Sequence, residues 1–293
     1  MTTSAFASIG LLHHPRKPES LVLAGQMASF FHGRGCTTWS GSAWDEPEAL
    51  AHVADLDLLV TLGGDGTILR AARIGSRYGV PILGIKLGRV SFLGEIMPDN
   101  WQEPLGRMLA GDYWLEERML LDVAVARSNG PTPAPGDPIP LPPAPDHRYQ
   151  ALNDVVVSRG SLARLITVEA WVDQSYLTSY RADGVIVATP TGCTGYALAA
   201  GGPVVPPELK NILLLPICPH LSLDRPVVLS QGATVTLLAR ADQPPILTVD
   251  GQFEITLAEG DRVEICASSH VSQFVHVQDR AYFYRTLMER LRW

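Results

Sequence analysis

Apolar and polar positions in the first third of the chain alternate between two periods. Short apolar runs at Ala7 to Leu12, Leu56 to Leu62 and Val80 to Ile85 read as strands, while Glu19 to His32 and Thr67 to Arg77 repeat apolar residues at helical spacing. Strands that alternate with helices predict a parallel sheet with crossover helices. Beyond about residue 115 the pattern becomes a series of short β-rich runs: Val123 and Val125, then Val155 to Val157, Ile166 to Ala170, Val185 to Ala188, Ile212 to Leu215, Thr234 to Leu238, Ile246 to Val249 and Val263 to Ile265. Gly, Pro and Asp separate them, as expected of a β-sandwich-like second domain. Tyr282 to Leu291 returns to a helical pattern and is expected to pack back on the first domain. The expected division is therefore an α/β domain over 1–115, a β-rich domain over 116–276 and a C-terminal segment over 277–293.

Ser128 to His147 fits neither period: it is too rich in proline for a helix or a central strand. It reads as an extended surface insertion within the second domain, and the alternative is a proline-rich ligand for a partner.

Composition narrows the class of protein. A chain of 293 residues with 46% hydrophobic and 18% charged residues can bury two cores and is far from a disordered composition. No apolar stretch reaches the roughly 18 residues of a membrane span. The N-terminal residues lack the basic, apolar, small-residue order of a signal peptide, so a cytoplasmic protein without a membrane partner is expected. Cys36, Cys193, Cys218 and Cys266 form no CxxC pair, which argues for free, buried thiols rather than disulfides or zinc. The histidines fall in no metal-ligand spacing, and no metal-ligating residue is assigned. The net charge of −7 speaks against nucleic acid as a partner. An anionic ligand would have to be held locally, by backbone N–H groups and a few arginines.

Four stretches carry candidate chemistry. Gly63-Gly64-Asp65-Gly66-Thr67 lies where a strand gives way to a helix; glycines allow close approach to the main chain, and a helix start offers unpaired N–H groups. This suits a nucleotide cradle, while a tight turn with Asp65 or Thr67 as cap explains the same residues. Neither G-x-G-x-x-G after a strand nor G-x-x-x-x-G-K-[ST] occurs. Arg70, Arg73 and Arg77 share a helix face that could simply be solvated, with Arg70 nearest the glycines. Asn153-Asp154 opens a β-branched strand: an amide can read a purine edge and a carboxylate can accept from ribose hydroxyls, though an Asn-Asp turn is an equal explanation. Between Arg181 and Val205, Thr191 and Thr194 stand in a turn of small residues whose N–H groups can form an anion-binding concavity. Val249-Asp250-Gly251-Gln252 is a strong hairpin signal that structure alone explains.

Together the segments GGDGT (63–67), GIKLGRVSFLGEI (84–96), NDVVV (153–157), RADGVIVATPTGCTGYALAAGGP (181–203), PHLSLDRPVVL (219–229) and VDGQ (249–252) resemble the NAD kinase family, in the family's order and over nearly the whole chain. The resemblance implies a Rossmann-like parallel α/β domain, a β-rich second domain and a site in the cleft between them. It implies phosphoryl transfer from ATP, or inorganic polyphosphate, to the 2′-hydroxyl of the adenosine ribose of NAD, with a divalent metal ion such as Mg²⁺ and a homodimer or homotetramer. Carried over by position, Asp65 resembles the general base, with Gly63, Gly64, Gly66, Thr67 and Arg70 around the ligand. Phe92 corresponds to the aromatic beside the adenine, and Asn153 and Asp154 to the pair on the adenosine. Arg164, Arg181 and Asp183 correspond to further dinucleotide contacts. Thr191, Thr194, Gly195, Tyr196, Ala197, Leu198 and Ala199 correspond to the loop along the nucleotide, and Gln252 to a late contact. Three positions depart from the family's habit: Ser91 for glycine, Cys193 for serine and Gly195 for alanine. A lipid or sugar kinase with the same glycine-acid turn, and a non-catalytic dinucleotide sensor, remain as alternatives.

Overall fold

A computed structural model describes residues 5–88, 91–128, 147–160 and 164–291. Residues 129–146 lie outside the described set, and with them most of the proline-rich insertion. The chain divides into two compact units, Met1–Glu117 with His270–Trp293, and Arg118–Ser269.

The first unit runs β1 (Ser8–His13), α1 (Pro18–His32), β2 (Thr37–Ser42), α2 (Glu46–Val53), β3 (Leu58–Gly63), α3 (Asp65–Ser76), β4 (Ile82–Lys86) and α4 (Gln102–Leu109). Its strands are parallel in the order β2-β1-β3-β4. β3 is buried at every position, as a strand covered on both faces should be. Leu58, Val60 and Leu62 enter one core with Leu23, Met27 and Phe31 of α1 and Leu105 and Met108 of α4. On the other face a methyl group of Leu59 approaches Gly75 of α3. Because β2 lies on one side of β1 and β3 on the other, the strand order reverses between β1 and β3. The carboxyl ends of those two strands, at His13 and Gly63, flank this switch point, where open α/β sheets bind ligands.

The chain passes between the units within β5 (Trp114–Ala126) and later within β16 (Arg262–His276). The second unit holds β6 (His147–Ala151), β7 (Asp154–Ser158), β8 (Ile166–Val172), β9 (Ser175–Ala182), β10 (Gly184–Ala188), a 3-10 turn at Thr191–Thr194 and α5 (Tyr196–Ala199). β11 (Asn211–Ile217), β12 (Val227–Ser230), β13 (Val235–Arg240), β14 (Ile246–Val249) and β15 (Phe253–Thr256) follow. One antiparallel sheet has the order β12-β11-β10-β7-β14-β15. Val155, Val157, Val185, Val187, Ile212 and Leu214 of its central strands share a core with Val168 and Ala170 of β8 and Val235 and Leu237 of β13. The alternate residues Val156, Ile186, Ala188, Leu213 and Leu215 pack instead with Cys193 and Ala197. These strands therefore read as unbroken apolar runs despite being antiparallel, since the 191–199 segment covers their second face. α6 (Tyr282–Leu291) belongs to the first unit, where the Arg290 guanidinium donates to Phe92 O at 2.9 Å. The expected mixed architecture, a parallel α/β domain followed by an antiparallel β-rich one, is the one observed.

Two local expectations change. α3 begins at Asp65, two residues before the expected start, because Gly64 serves as its extended N-cap. The thiols of Cys36 and Cys193 are buried as expected, whereas Cys218 is exposed and Cys266 half-buried; all four are free.

Candidate active site

The glycine-acid turn is built by close approach. A Cβ on Gly63 would lie 2.0 Å from Thr67 Oγ1, so glycine is what lets the first turn of α3 fold against the end of β3. A Cβ on Gly64 or Gly66 would meet nothing within 4 Å, which leaves open space beside the helix start. Thr67 is buried and its Oγ1 has no hydrogen-bond partner.

Asp65 occupies the first helical position, where the dipole favours an anion. Its half-buried carboxylate is held from the 91–93 segment: Ser91 Oγ donates to Oδ1 at 2.5 Å, Phe92 N to Oδ2 at 3.0 Å and Leu93 N to Oδ1 at 3.4 Å. Ser91 Oγ in turn accepts from Gly94 N at 2.8 Å. A carboxylate offers about four acceptor positions. Among the described residues, three donors are directed at it, two on Oδ1 and one on Oδ2.

Lys86 is the residue that pattern reading missed. It ends β4 opposite Gly63 and acts electrostatically on Asp65. Burial, and then Arg290, hold its ammonium below the usual lysine range, with Asp65 and Glu289 opposing. Its signal in the sequence is a lone cation closing an apolar parallel strand beside the glycine turn. The three arginines of α3 do not act alike. Arg70 lies over the Trp44 ring at 4.5 Å, and Arg73 is buried against Glu46 at 2.7 Å, a scaffold pair between α3 and α2. Arg77 is exposed. Burial, then Arg73, lower the Arg70 pKa, although a guanidinium stays charged.

In the second unit, Asn153 precedes and Asp154 begins β7, and the 189–195 turn lies directly on them. Thr189 N donates to Asn153 O at 2.9 Å, Thr189 Oγ1 donates to Leu152 O at 2.5 Å, and Gly192 N donates to Thr189 Oγ1 at 3.1 Å. A Cβ on Gly192 would sit 2.0 Å from Asn153 O. One on Gly195 would lie 3.6 Å from both Asn153 Nδ2 and Asp154 Oδ2. Asn153 Oδ1 and Thr191 Oγ1 are buried without partners. Such orphaned groups are rare in native folds and call for an explanation, a bound ligand among them. Burial, and then the charge of Asp250, raise the Asp154 pKa to about 7. Tyr196 is exposed on α5, and Asp183, Arg159 and Asp154 all act on its phenol, whose pKa is raised chiefly by burial. Ala197 is buried, Leu198 half-buried and Ala199 exposed, while Thr194 Oγ1 donates to Thr191 O at 3.3 Å.

The structure thus gathers Asn153, Asp154, Thr191, Gly195, Tyr196 and Asp183, and adds Arg159, which pairs with Asp183 at 2.9 Å. Arg164 forms an exposed pair with Asp242 at 3.1 Å, and Arg181 is an exposed residue of β9 whose O accepts from His220 N. Neither is drawn into that group by a contact among the described residues. Gln252 closes the β14–β15 turn by donating to Val249 O at 2.9 Å. No three His, Cys, Asp or Glu residues among those described stand together as a metal site.

A glycine-acid helix start thus stands at the switch point of a parallel sheet, in a chain whose other unit carries an amide-acid turn among small residues. Residues 35–113 match the ATP-NAD kinase N-terminal domain and residues 152–277 the ATP-NAD kinase C-terminal domain. The chain is 38% identical over 284 residues to the NAD kinase of Chloroflexus aurantiacus, with 97% of this chain and 98% of that one covered. It is 38% identical over 288 residues to the NAD kinase of Citrifermentans bemidjiense, covering 94% and 95%. An NAD kinase from Archaeoglobus fulgidus, solved in complex with ATP, superposes with a TM-score of 0.76 at 26% identity over 97% of this chain and 98% of that one. Yeast NADH kinase complexed with NADH gives 0.79 at 22% identity over 96% and 87%, a likeness of fold. The chain belongs to the NAD kinase family.

Proposed function

We propose that the protein transfers the γ-phosphoryl group of ATP to the 2′-hydroxyl of the adenosine ribose of NAD, giving NADP and ADP. The observation that carries this reading is the Asp65 carboxylate, fixed by three donors at the start of α3 beside the open space at Gly64 and Gly66. As the ribose oxygen bonds to phosphorus and the bond to the ADP oxygen breaks, the hydroxyl proton passes to Asp65. Phosphoryl transfer asks mainly for alignment and charge neutralisation. Lys86 supplies positive charge near Asp65, and Arg70 adds a cation one turn into α3. Asn153 and Asp154 hold the adenosine, with Phe92, Asp183, Tyr196 and Gln252 as further contacts.

Mg²⁺ is proposed to arrive on the triphosphate of ATP, as is usual for phosphoryl transfer. The family resemblance extends the proposal to a cytoplasmic homodimer or homotetramer, which light scattering coupled to gel filtration checks.

The test is to incubate the purified protein with MgATP or polyphosphate and, separately, with NAD, NADH, a diacylglycerol and fructose 6-phosphate, and to identify the phosphorylated product. A 2′-phosphorylated dinucleotide is expected. Turnover of the lipid or the sugar, or NAD binding without turnover, overturns the reading.

A further inference from the structure

Asp250 stands at the tip of the β14–β15 hairpin. With Gly251 it forms a turn in which both central residues have positive φ, 51° and 61°. Glycine accepts that conformation freely and aspartate tolerates it better than most residues. The turn sends the Asp250 carboxylate back over the start of β7, which pairs with β14 through Val155 and Val249. There it collects three consecutive backbone donors: Leu152 N at 2.9 Å to Oδ2, and Asn153 N at 2.8 Å and Asp154 N at 3.1 Å to Oδ1. Its own N–H donates to Asp154 O at 2.9 Å. Asn153 and Asp154 precede and begin the strand, so nothing in the β7 ladder fixes the Leu152 and Asn153 N–H groups. The hairpin residue does this instead, through charge-assisted bonds stronger than neutral ones.

We propose that Asp250 is a positioning residue for the nucleotide-gripping turn, its carboxylate clamping the Leu152, Asn153 and Asp154 N–H groups so that the Asn153 amide and the Asp154 carboxyl are presented to the adenosine. The proposal rests on the functional reading above for the identity of the ligand, and on these hydrogen bonds alone for the clamp.

The clamp has an electrostatic consequence. Asp154 is buried beneath the 189–195 turn, and it faces the charge of Asp250 from the hairpin and the phenol of Tyr196 from α5. Asp250 therefore raises the proton affinity of the group that it positions, adding to the effect of burial.

D250N and D250A separate these roles. Asn tolerates positive φ as readily as Asp and keeps an oxygen for Asn153 and Asp154, but it removes the charge and sets an amide N–H₂ against Leu152 N–H. In D250N the Asp154 midpoint, followed by carboxyl NMR, is expected to fall from about 7 toward the ordinary carboxylate range. Hydrogen exchange at Leu152 is expected to accelerate by about tenfold or more as its acceptor is lost. At about pH 8.5, where Asp154 is ionised in both proteins, the KM for NAD should rise by about tenfold while kcat changes by less than about threefold, the division expected when ground-state and transition-state binding weaken together. D250A should show larger effects in the same directions; if it does not fold, D250N decides. An unmoved Asp154 midpoint in folded D250N, or unchanged exchange at Leu152, overturns the clamp. An unchanged KM for NAD, with those two shifts observed, overturns its role in presenting the turn. If the parent protein fails to phosphorylate NAD, titration and exchange still decide the clamp, and the functional reading alone falls.

Discussion

The two aspartates of the proposed site, Asp65 and Asp154, both stand where a loop meets a regular element, yet they are held in opposite ways. Asp65 begins a helix and receives donors on its own carboxylate, from Ser91, Phe92 and Leu93. Asp154 begins a strand and is held by its backbone, while its carboxyl lies buried under the field of another acid. Burial beside a like charge disfavours the charged form of Asp154. The first arrangement fixes a carboxylate oxygen in one direction, as the proposed role of proton acceptor in a phosphoryl transfer requires. The second places a grip whose charge changes near neutral pH. One residue type is thereby given two tasks by its surroundings.

The largest test of this division is Asp65→Asn. The amide preserves size and the helix start but cannot take a proton. With NAD and MgATP, kcat is expected to fall by roughly 10² to 10⁴, the range typical of general-base loss. NAD affinity by calorimetry should stay within about threefold of the parent, since this change leaves the Asn153–Asp154 turn untouched. A near-normal kcat would remove Asp65 from the chemistry and leave it as a helix cap.

Glycines divide in the same manner between scaffold and ligand. Gly192→Ala would place a methyl group 2.0 Å from Asn153 O, with backbone on both sides, so neither partner can rotate away. A loss of about 1–3 kcal/mol or more is expected, seen as a Tm lower by about 2–12 °C. Gly64→Ala meets nothing within 4 Å and its φ of −99° suits any residue, so Tm should hold within about 2 °C. If the triphosphate of ATP approaches this turn, Gly64→Ala raises the KM for ATP without destabilising the fold. An unaffected KM would return Gly64 to the scaffold.

The β-rich runs and the five alternating elements of the first unit were legible because burial on two faces, or on one helical face, leaves a period in the residues. β2 was not, because Thr37–Ser42 pairs with β1 alone at a sheet edge and carries no apolar run. α2 and α4 hid behind prolines at their starts or interiors, in only eight residues each. For the site, GGDGT and Asn153-Asp154 were visible as chemistry placed at element boundaries. Ser91, Lys86, Asp250 and Arg159 were not, since each matters through a partner 20 or more residues away: Ser91 reaches across 26 positions to Asp65, and Asp250 across 96 to Asp154. No local period records such a pairing. The VDGQ hairpin shows the limit most clearly, because its turn chemistry was read correctly while the destination of its carboxylate was set by β14 lying beside β7.

The pH dependence follows from Asp154, whose pKa is raised from 3.8 to about 7 by burial and then by Asp250. The sign differs between binding and stability. Ribose hydroxyls donate to the ionised form, so NAD should bind more tightly as pH rises through about 7, with a KM at pH 6 up to about tenfold above that at pH 8. For stability, a folded pKa above the unfolded one means that the folded state holds the extra proton between about 4 and about 7. The contribution of this group therefore declines as pH rises across that window and is level above it. A KM for NAD flat from pH 6 to 8 would show that Asp154 does not bind through its ionised oxygen.

The smallest effect is expected at Ser91. Its hydroxyl donates to Asp65 Oδ1 and accepts from Gly94 N, so Ser91→Gly removes one bond from the carboxylate and one from the loop. Phe92 N and Leu93 N still hold Asp65 from the same side, and their main-chain positions are pinned by Arg290 on Phe92 O. Orientation should therefore survive. The kcat should stay within about threefold of the parent, while the lost loop bond costs about 1 kcal/mol of stability. A fall in kcat of about tenfold or more would mean that the hydroxyl, rather than the two amides, aims Asp65 at its substrate, and the contrast between a carboxylate held by main chain and one held by its own backbone would no longer describe this pair.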